Sequence, residues 1–300
     1  MLVHLGRIVN KKILGKYAVP AFNTNDLETT QGIVRAAVAQ KAPVIIQTSE
    51  GAIEYAGLET IVAIIKEEAR KVDVPIALHQ DHCKHFDLIK KLIAIGYSSV
   101  MIDASHLPYK ENVKLTKAVV SYAHKRGVWV QAEVGRLLGN EDWQNVKSGE
   151  DLMTDPDEAL KFVQETGIDT LAVAVGSMHG IPVNPEIKKI MSTLDEHIDI
   201  PRLQAIRKKI KIPLVLHGAS GVPDDQMRKA IANGVAVFNI DTDLRVAFNK
   251  ALRDNLNMHP EIYDPRKILA PATLALQQVA ETKLKLLKTS GKAFKNSKGR

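Results

Sequence analysis

Eight short runs of apolar and β-branched residues recur along the chain: YAVPAFN from 17, APVIIQTS from 42, PIALHQD from 75, SSVMIDAS from 98, WVQAEVG from 129, TLAVAVG from 170, PLVLHGAS from 213 and VAVFNID from 235. Between them lie amphipathic stretches such as DLETTQGIVRAAVAQ, FDLIKKLIAIG and DEALKFVQETG, with apolar residues at helical spacing and often a glycine close behind. Strands that alternate with helices build a parallel sheet covered on its faces, and eight of them close most simply into a barrel. An open doubly wound sheet is the lesser alternative, and the Gly-rich dinucleotide turn that would favour it is missing. The expectation is an α/β fold, a (β/α)8 TIM barrel with an extra helix over the first 16 residues and a long C-terminal helix over 265–288.

A chain of 300 residues suits one such domain, 1–300, and residues 291–300 read as a flexible basic tail. Two connections, 136–154 and 177–200, are longer than a barrel needs and leave strand ends on the face where binding loops sit. The formal charge is +7, but the last 18 residues hold seven of the 41 Lys and Arg and none of the 34 Asp and Glu, so the body balances at 34 against 34. A basic end without interleaved aromatics reads as a solvated terminus, so neither nucleic acid nor a membrane is an expected partner. One cysteine cannot close an internal disulfide, and the opening MLVHLGRIVNKK lacks a sustained apolar run, so a cytoplasmic location is expected.

The polar residues fall where the strands end: Asn23, Ser49, Asp81 with His82, Asp103, Glu133, His179 just past the sixth strand, His217, and Asn239 with Asp241. A barrel gathers such ends at one mouth, so residues remote in sequence become neighbours. Imidazoles are the usual ligands for zinc, and three protein ligands leave a position open for substrate, so the three histidines read as a catalytic metal site. The turn HGASG at 217–221 lets backbone N–H groups approach an anion, and NIDTD opens the last helix of the barrel, where phosphate is often held. Strand parity puts His79 and Asp81 on the barrel side, and His82 is expected to reach the mouth only because its strand is ending.

The motifs LHQDHC, AEVG followed by GNED, GSMHG, HGASG, NIDTDLR and YDPRK occur here in the order and spacing of the class II, metal-dependent ketose-bisphosphate aldolases. The chain resembles that family, and within it the fructose-1,6-bisphosphate type, from MLV through DPRKILAPATLAL. The resemblance implies a catalytic zinc (Zn2+) on His82, His179 and His217, with Asp103 and Glu133 at an alternative metal position, and it admits a monovalent cation, Na+ or K+. It makes Asp81 and Glu141 the catalytic acid/base pair. It places Gly180, Gly218, Ala219 and Ser220, with Asn239, Ile240, Asp241 and Thr242, around one phosphate of the substrate. Asn23 and Ser49 match further substrate contacts. Arg266 resembles an arginine that reaches the second phosphate in a neighbouring subunit, which implies a homodimer or homotetramer.

The chain departs from the family's pattern at Gln131, where an acidic residue is common, at Cys83, where the usual residue is small, and in the loop GRLLGNED. A Schiff-base mechanism would need a lysine inside the barrel, and none of the eight strand runs has one; an amidohydrolase barrel would open with His-x-His, which AVPAFN lacks. The remaining alternatives are a tagatose-1,6-bisphosphate aldolase and a non-catalytic phosphosugar-binding protein.

Overall fold

A computed structural model of the chain describes residues 1–135, 138–139, 153–179 and 197–294. Each of the eight runs forms a strand: β1 (Val19–Asn23), β2 (Val44–Thr48), β3 (Ile76–Cys83), β4 (Ser99–Ile102), β5 (Trp129–Val134), β7 (Thr170–Val173), β9 (Leu214–Leu216) and β10 (Val235–Ile240). All pair in parallel and close into a barrel in chain order, β10 returning to β1 through Val19↔Val237 to Phe22↔Ile240. Two further short strands, β6 (Leu138–Gly139) and β8 (Met178–His179), form a parallel pair of their own.

The apolar runs are continuous rather than alternating because both faces of the barrel wall are buried. Phe22, Ile46, Leu78, Ile102, Leu216 and Phe238 face outward into the core shared with the helices. Their neighbours Ala21, Ile45, Ala77, Met101, Val215 and Val237 belong to a separate cluster inside the barrel. The period of two is what sends adjacent residues to opposite sides. The helices dock by matching stripes, as in Leu58–Arg70, where Ile61, Val62, Ile65 and Ala69 are buried. Their starts are written locally: Asp26 accepts a hydrogen bond from the Thr29 N–H, and Asp155 precedes a proline at the start of Pro156–Thr166.

The N-terminal segment differs from expectation. Only Leu5–Ile8 is helical, and the Val3 N–H bonds to the Ile76 carbonyl instead. Asn10 turns the chain by accepting from the Lys12 N–H at 2.9 Å, which competes with helix continuation. Leu5, Ile8, Val9 and Ile13 then close the floor of the barrel against the inner cluster. The C-terminal helix spans Pro265–Leu286, close to the expected range. The beginning of the segment read as a free tail is tied down: the Gly291 and Ala293 N–H groups bond to the Gln40 and Lys41 carbonyls, and Arg7 lies over the Phe294 ring. Residues 295–300 lie outside the described residues.

Candidate active site

On β3 the side chains do not simply alternate. The ladder to β4 shifts register between Gln80 and Cys83, and His82 sits at φ +45°, a left-handed conformation unusual for a residue with a Cβ. The regular ladders to β2 and β4 stop at Gln80 and β3 closes at Cys83, so His82 does lie where the strand is ending, and its left-handed backbone is how it joins Asp81 at the mouth. Strain of this kind costs about 1–3 kcal/mol and persists where surrounding contacts fix it. One such contact is the hydrogen bond from His82 Nδ1 to Asp103 Oδ2, 2.7 Å long.

Asp81 is buried at the centre of three side-chain amides. Asn23 and Gln47 donate to its Oδ2 at 3.0 Å each, and Asn239 donates to Oδ1 at 3.1 Å. Its Oδ1 also lies 3.9 Å from both His82 Nε2 and His217 Nδ1. Asp103 receives the Ser105 hydroxyl and N–H on its other oxygen. Burial disfavours ionised Asp103, but its hydrogen bond to His82 and the donors of Ser105 outweigh it and hold the carboxyl well below the usual range. Burial would likewise lower His82, yet the charges of Asp81, Asp103 and Glu133 keep its imidazolium well above the ordinary value.

The donor set fits a metal. His82 Nδ1 gives its hydrogen to Asp103, His217 Nε2 lies 2.7 Å from the Gln131 side-chain oxygen, and His82 Nε2 and His217 Nδ1 are turned toward Asp81, the latter with the Asn239 amide nitrogen 3.3 Å away. These two face each other at 2.7 Å. Two imidazole nitrogens come that close only with a proton or a cation between them, and the protonated His82 ring supplies the proton where no metal does. Asp81, His82 and His217 thus form one group with ligand atoms in metal-binding reach, and His82, Asp103 and Glu133 form a second.

The other expected residues fall around this centre. Ser49 caps the helix Glu50–Ala56 through its Oγ and, with His82, Lys84 and Arg245, lines a cavity of about 720 Å³ at the mouth. The Ser220 hydroxyl accepts from the Asp243 N–H, and the Ala219 N–H bonds to the Asn239 carbonyl, which joins the turn at Gly218 to the start of the helix Thr242–Met258. Ile240 is buried in β10, and Asp241 pairs with Arg245 at 2.7 Å. Gly176, before the segment carrying His179, has φ +102°, and a Cβ there would meet the His197 carbonyl oxygen at 2.2 Å, so only glycine fits. The His179 backbone pairs with Gly139, while its side chain, Gly180 and Glu141 lie outside the described residues. Arg266 is far from buried, its side chain 90% exposed and clasped to Asp264.

Sequence reasoning missed Gln47, which ties Asn23 to Asp81 by donating to both. Its signal was parity, since it follows the inward Ile45 by two positions on β2. His79 is an interior support, as parity indicates: Nδ1 lies 3.0 Å from Ser99 Oγ, and burial pushes its imidazole down to about 4.

Imidazoles and carboxylates gathered beside a cavity at the mouth of a parallel barrel define a barrel enzyme with a metal-competent centre. The family model for class-II fructose-bisphosphate aldolase matches residues 3–292. A fructose-bisphosphate aldolase of Geobacillus stearothermophilus is 43% identical over 295 residues, covering 97% of this chain and 99% of the relative. The crystal structure of the YdjI aldolase of Escherichia coli K12 superimposes with a TM-score of 0.82 at 31% identity, covering 98% of this chain and 100% of that one. A fructose-bisphosphate aldolase of Campylobacter jejuni, 23% identical with 97% of each chain covered, shares the fold at a TM-score of 0.80. The chain belongs to the class II fructose-bisphosphate aldolase family, a family of lyases.

Proposed function

We propose that this chain, acting as one catalytic domain, cleaves fructose 1,6-bisphosphate reversibly to dihydroxyacetone phosphate and glyceraldehyde 3-phosphate. The observation that carries the reading is Asp81, held by three amides beside the facing nitrogens of His82 and His217. Breaking the bond between carbons 3 and 4 requires a proton to leave the carbon-4 hydroxyl while negative charge develops toward the carbonyl oxygen. Asp81 takes that proton during cleavage and returns it during condensation, with its lone pairs oriented by Asn23, Gln47 and Asn239. A zinc ion held by His82 and His217, with His179 as the third ligand, would supply Lewis-acid polarisation of the substrate oxygens. Glu141 delivers a proton to the carbon left behind, and Asp103 and Glu133 offer an alternative metal position.

The retained phosphate sits between Gly180, the turn Gly218–Ser220 and the segment Asn239–Thr242. Support for this comes from the Ser220 bond to the first turn of Thr242–Met258, a 17-residue helix whose N-terminus favours an anion. Asn23 and Ser49 meet the rest of the sugar, and Arg266 serves the second phosphate of a partner subunit. A homodimer or homotetramer is supported by exposed apolar side chains: five of the ten large ones among the described residues, Val246, Leu256, Met258, Tyr263 and Leu274, lie on the C-terminal helices and their connection. No described helix is long and apolar enough to cross a membrane, and the buried free thiol of Cys83 suits a cytoplasmic enzyme.

The test is a coupled assay of triose phosphate release from fructose and tagatose 1,6-bisphosphates, before and after chelation. We expect turnover of the fructose sugar, its loss with chelator and its return with zinc. Turnover that survives chelation rejects the metal role, preference for tagatose moves the substrate, and turnover of neither sugar sinks the aldolase assignment.

A further inference from the structure

Below the mouth, the barrel interior carries three polar residues that the cleavage chemistry leaves unused, Ser99, His79 and Gln131, in a line that leads to His217. Ser99 Oγ lies 3.0 Å from His79 Nδ1, His79 Nε2 lies 3.5 Å from the Gln131 amide nitrogen, and the Gln131 amide oxygen lies 2.7 Å from His217 Nε2. All four residues are buried, so their donors and acceptors must match one another. The amide nitrogen only donates, which makes His79 Nε2 an acceptor and leaves Nδ1–H for Ser99. The amide oxygen only accepts, which puts the hydrogen of His217 on Nε2. The lone pair of that ring then rests on Nδ1, the nitrogen that faces His82.

We propose that Gln131 is a positioning residue for His217: its side-chain oxygen fixes the ring tautomer, so that Nδ1 is the nitrogen His217 presents to the metal. Without that acceptor, a buried Nε2–H would face only the Asn239 amide nitrogen 3.3 Å away, itself a donor, and the ring would relieve it by moving the hydrogen to Nδ1, which blocks the metal-facing position. The amide does this as a neutral group. It therefore orients the ligand without adding a charge to the three carboxylates already grouped at the mouth, Asp81, Asp103 and Glu133. The inference rests on the metal reading given above.

The experiment compares the unmutated protein with Gln131→Leu and Gln131→Glu. Zinc affinity is measured by competition with a chelator, site geometry by the visible spectrum of the cobalt(II) form, and the His217 tautomer by 15N NMR of the zinc-loaded protein. The leucine variant should bind zinc about 10- to 100-fold more weakly, with an altered cobalt spectrum. The glutamate variant, which restores an acceptor oxygen, should bind zinc at least as tightly as the unmutated protein. In that protein the hydrogen of His217 should be found on Nε2. Equal zinc affinity in the leucine variant, or a His217 hydrogen on Nδ1, overturns the proposal while the metal reading stands. Failure of the unmutated protein to take up zinc overturns the metal reading first, and this proposal with it. If the leucine variant does not fold, the glutamate variant and the tautomer still decide.

Discussion

The two ends of the barrel use the same eight strands for opposite purposes. At the floor the inward side chains are Val19, Ala21, Ile45, Ala77, Met101, Ala172, Val215 and Val237, closed by Leu5, Ile8, Val9 and Ile13. One or two inward positions further along, β1, β2, β3 and β10 present Asn23, Gln47, His79, Asp81 and Asn239, His217 follows β9, and β5 adds Gln131 and Glu133, all of them buried. The floor can be held by area alone, since apolar groups need no specific partner. At the mouth each buried polar atom costs free energy unless it is matched, so that end is held by directed bonds and is sensitive to single atoms. Stability and chemistry are thereby separated along the barrel axis, and substitutions should divide the same way.

The largest effect belongs to the mouth. Asp81→Ala should lower kcat about 10²- to 10⁴-fold with a much smaller change in KM. Steady-state kinetics check this, and full turnover would place the proton transfer elsewhere. The floor should show the converse: Ile45→Ala loses about 2–5 kcal/mol of unfolding free energy in urea while folded protein keeps its turnover. A floor variant that loses activity in step with stability would break the separation.

His79, between the two zones, gives a pH signature. In the unfolded chain it takes a proton near pH 6.5, whereas burial delays this in the folded protein to about 4. Its neutral form therefore supports folding above pH 6.5, and that support is lost as pH falls from 6.5 toward 4, at up to about 1.4 kcal/mol per pH unit. Urea titrations of the protein and of His79→Gln should diverge over this window; parallel curves would show that His79 is not held neutral. The smallest effect is expected at Cys83, buried on the outer side of β3 with its thiol pushed up to about 12 by burial. Cys83→Ala should cost about 1 kcal/mol and leave turnover intact, and thiol-blocking reagents should not inactivate the folded protein.

The barrel was legible because strand and helix lengths, and the count of eight, are local properties of the sequence. Asp81, His82, Asp103, Glu133 and His217 could be placed at the mouth for the same reason: each ends a recognisable run. What local pattern could not supply was the register. The left-handed turn at His82 lies where the ladder between β3 and β4 shifts, and parity on one strand marks that the strand is ending there without showing how. The short N-terminal helix was overrun by tertiary contacts, with Gly6 packed so close to Trp129 that a Cβ would meet its ring at 2.6 Å. Gln47 carries no signal beyond its strand parity, and Gln131 stands out only as a departure from the family's pattern, because an amide shows its worth only when its partners on other strands are known.

The left-handed backbone of His82 also narrows which replacements the protein could accept during divergence. Asparagine enters that conformation readily, whereas valine or isoleucine would be penalised before any question of ligation arose. A descendant that abandoned catalysis but kept the barrel would be expected to carry Asn or Gly at this position. The same reasoning makes His82→Asn the gentlest way to silence the centre while sparing the scaffold.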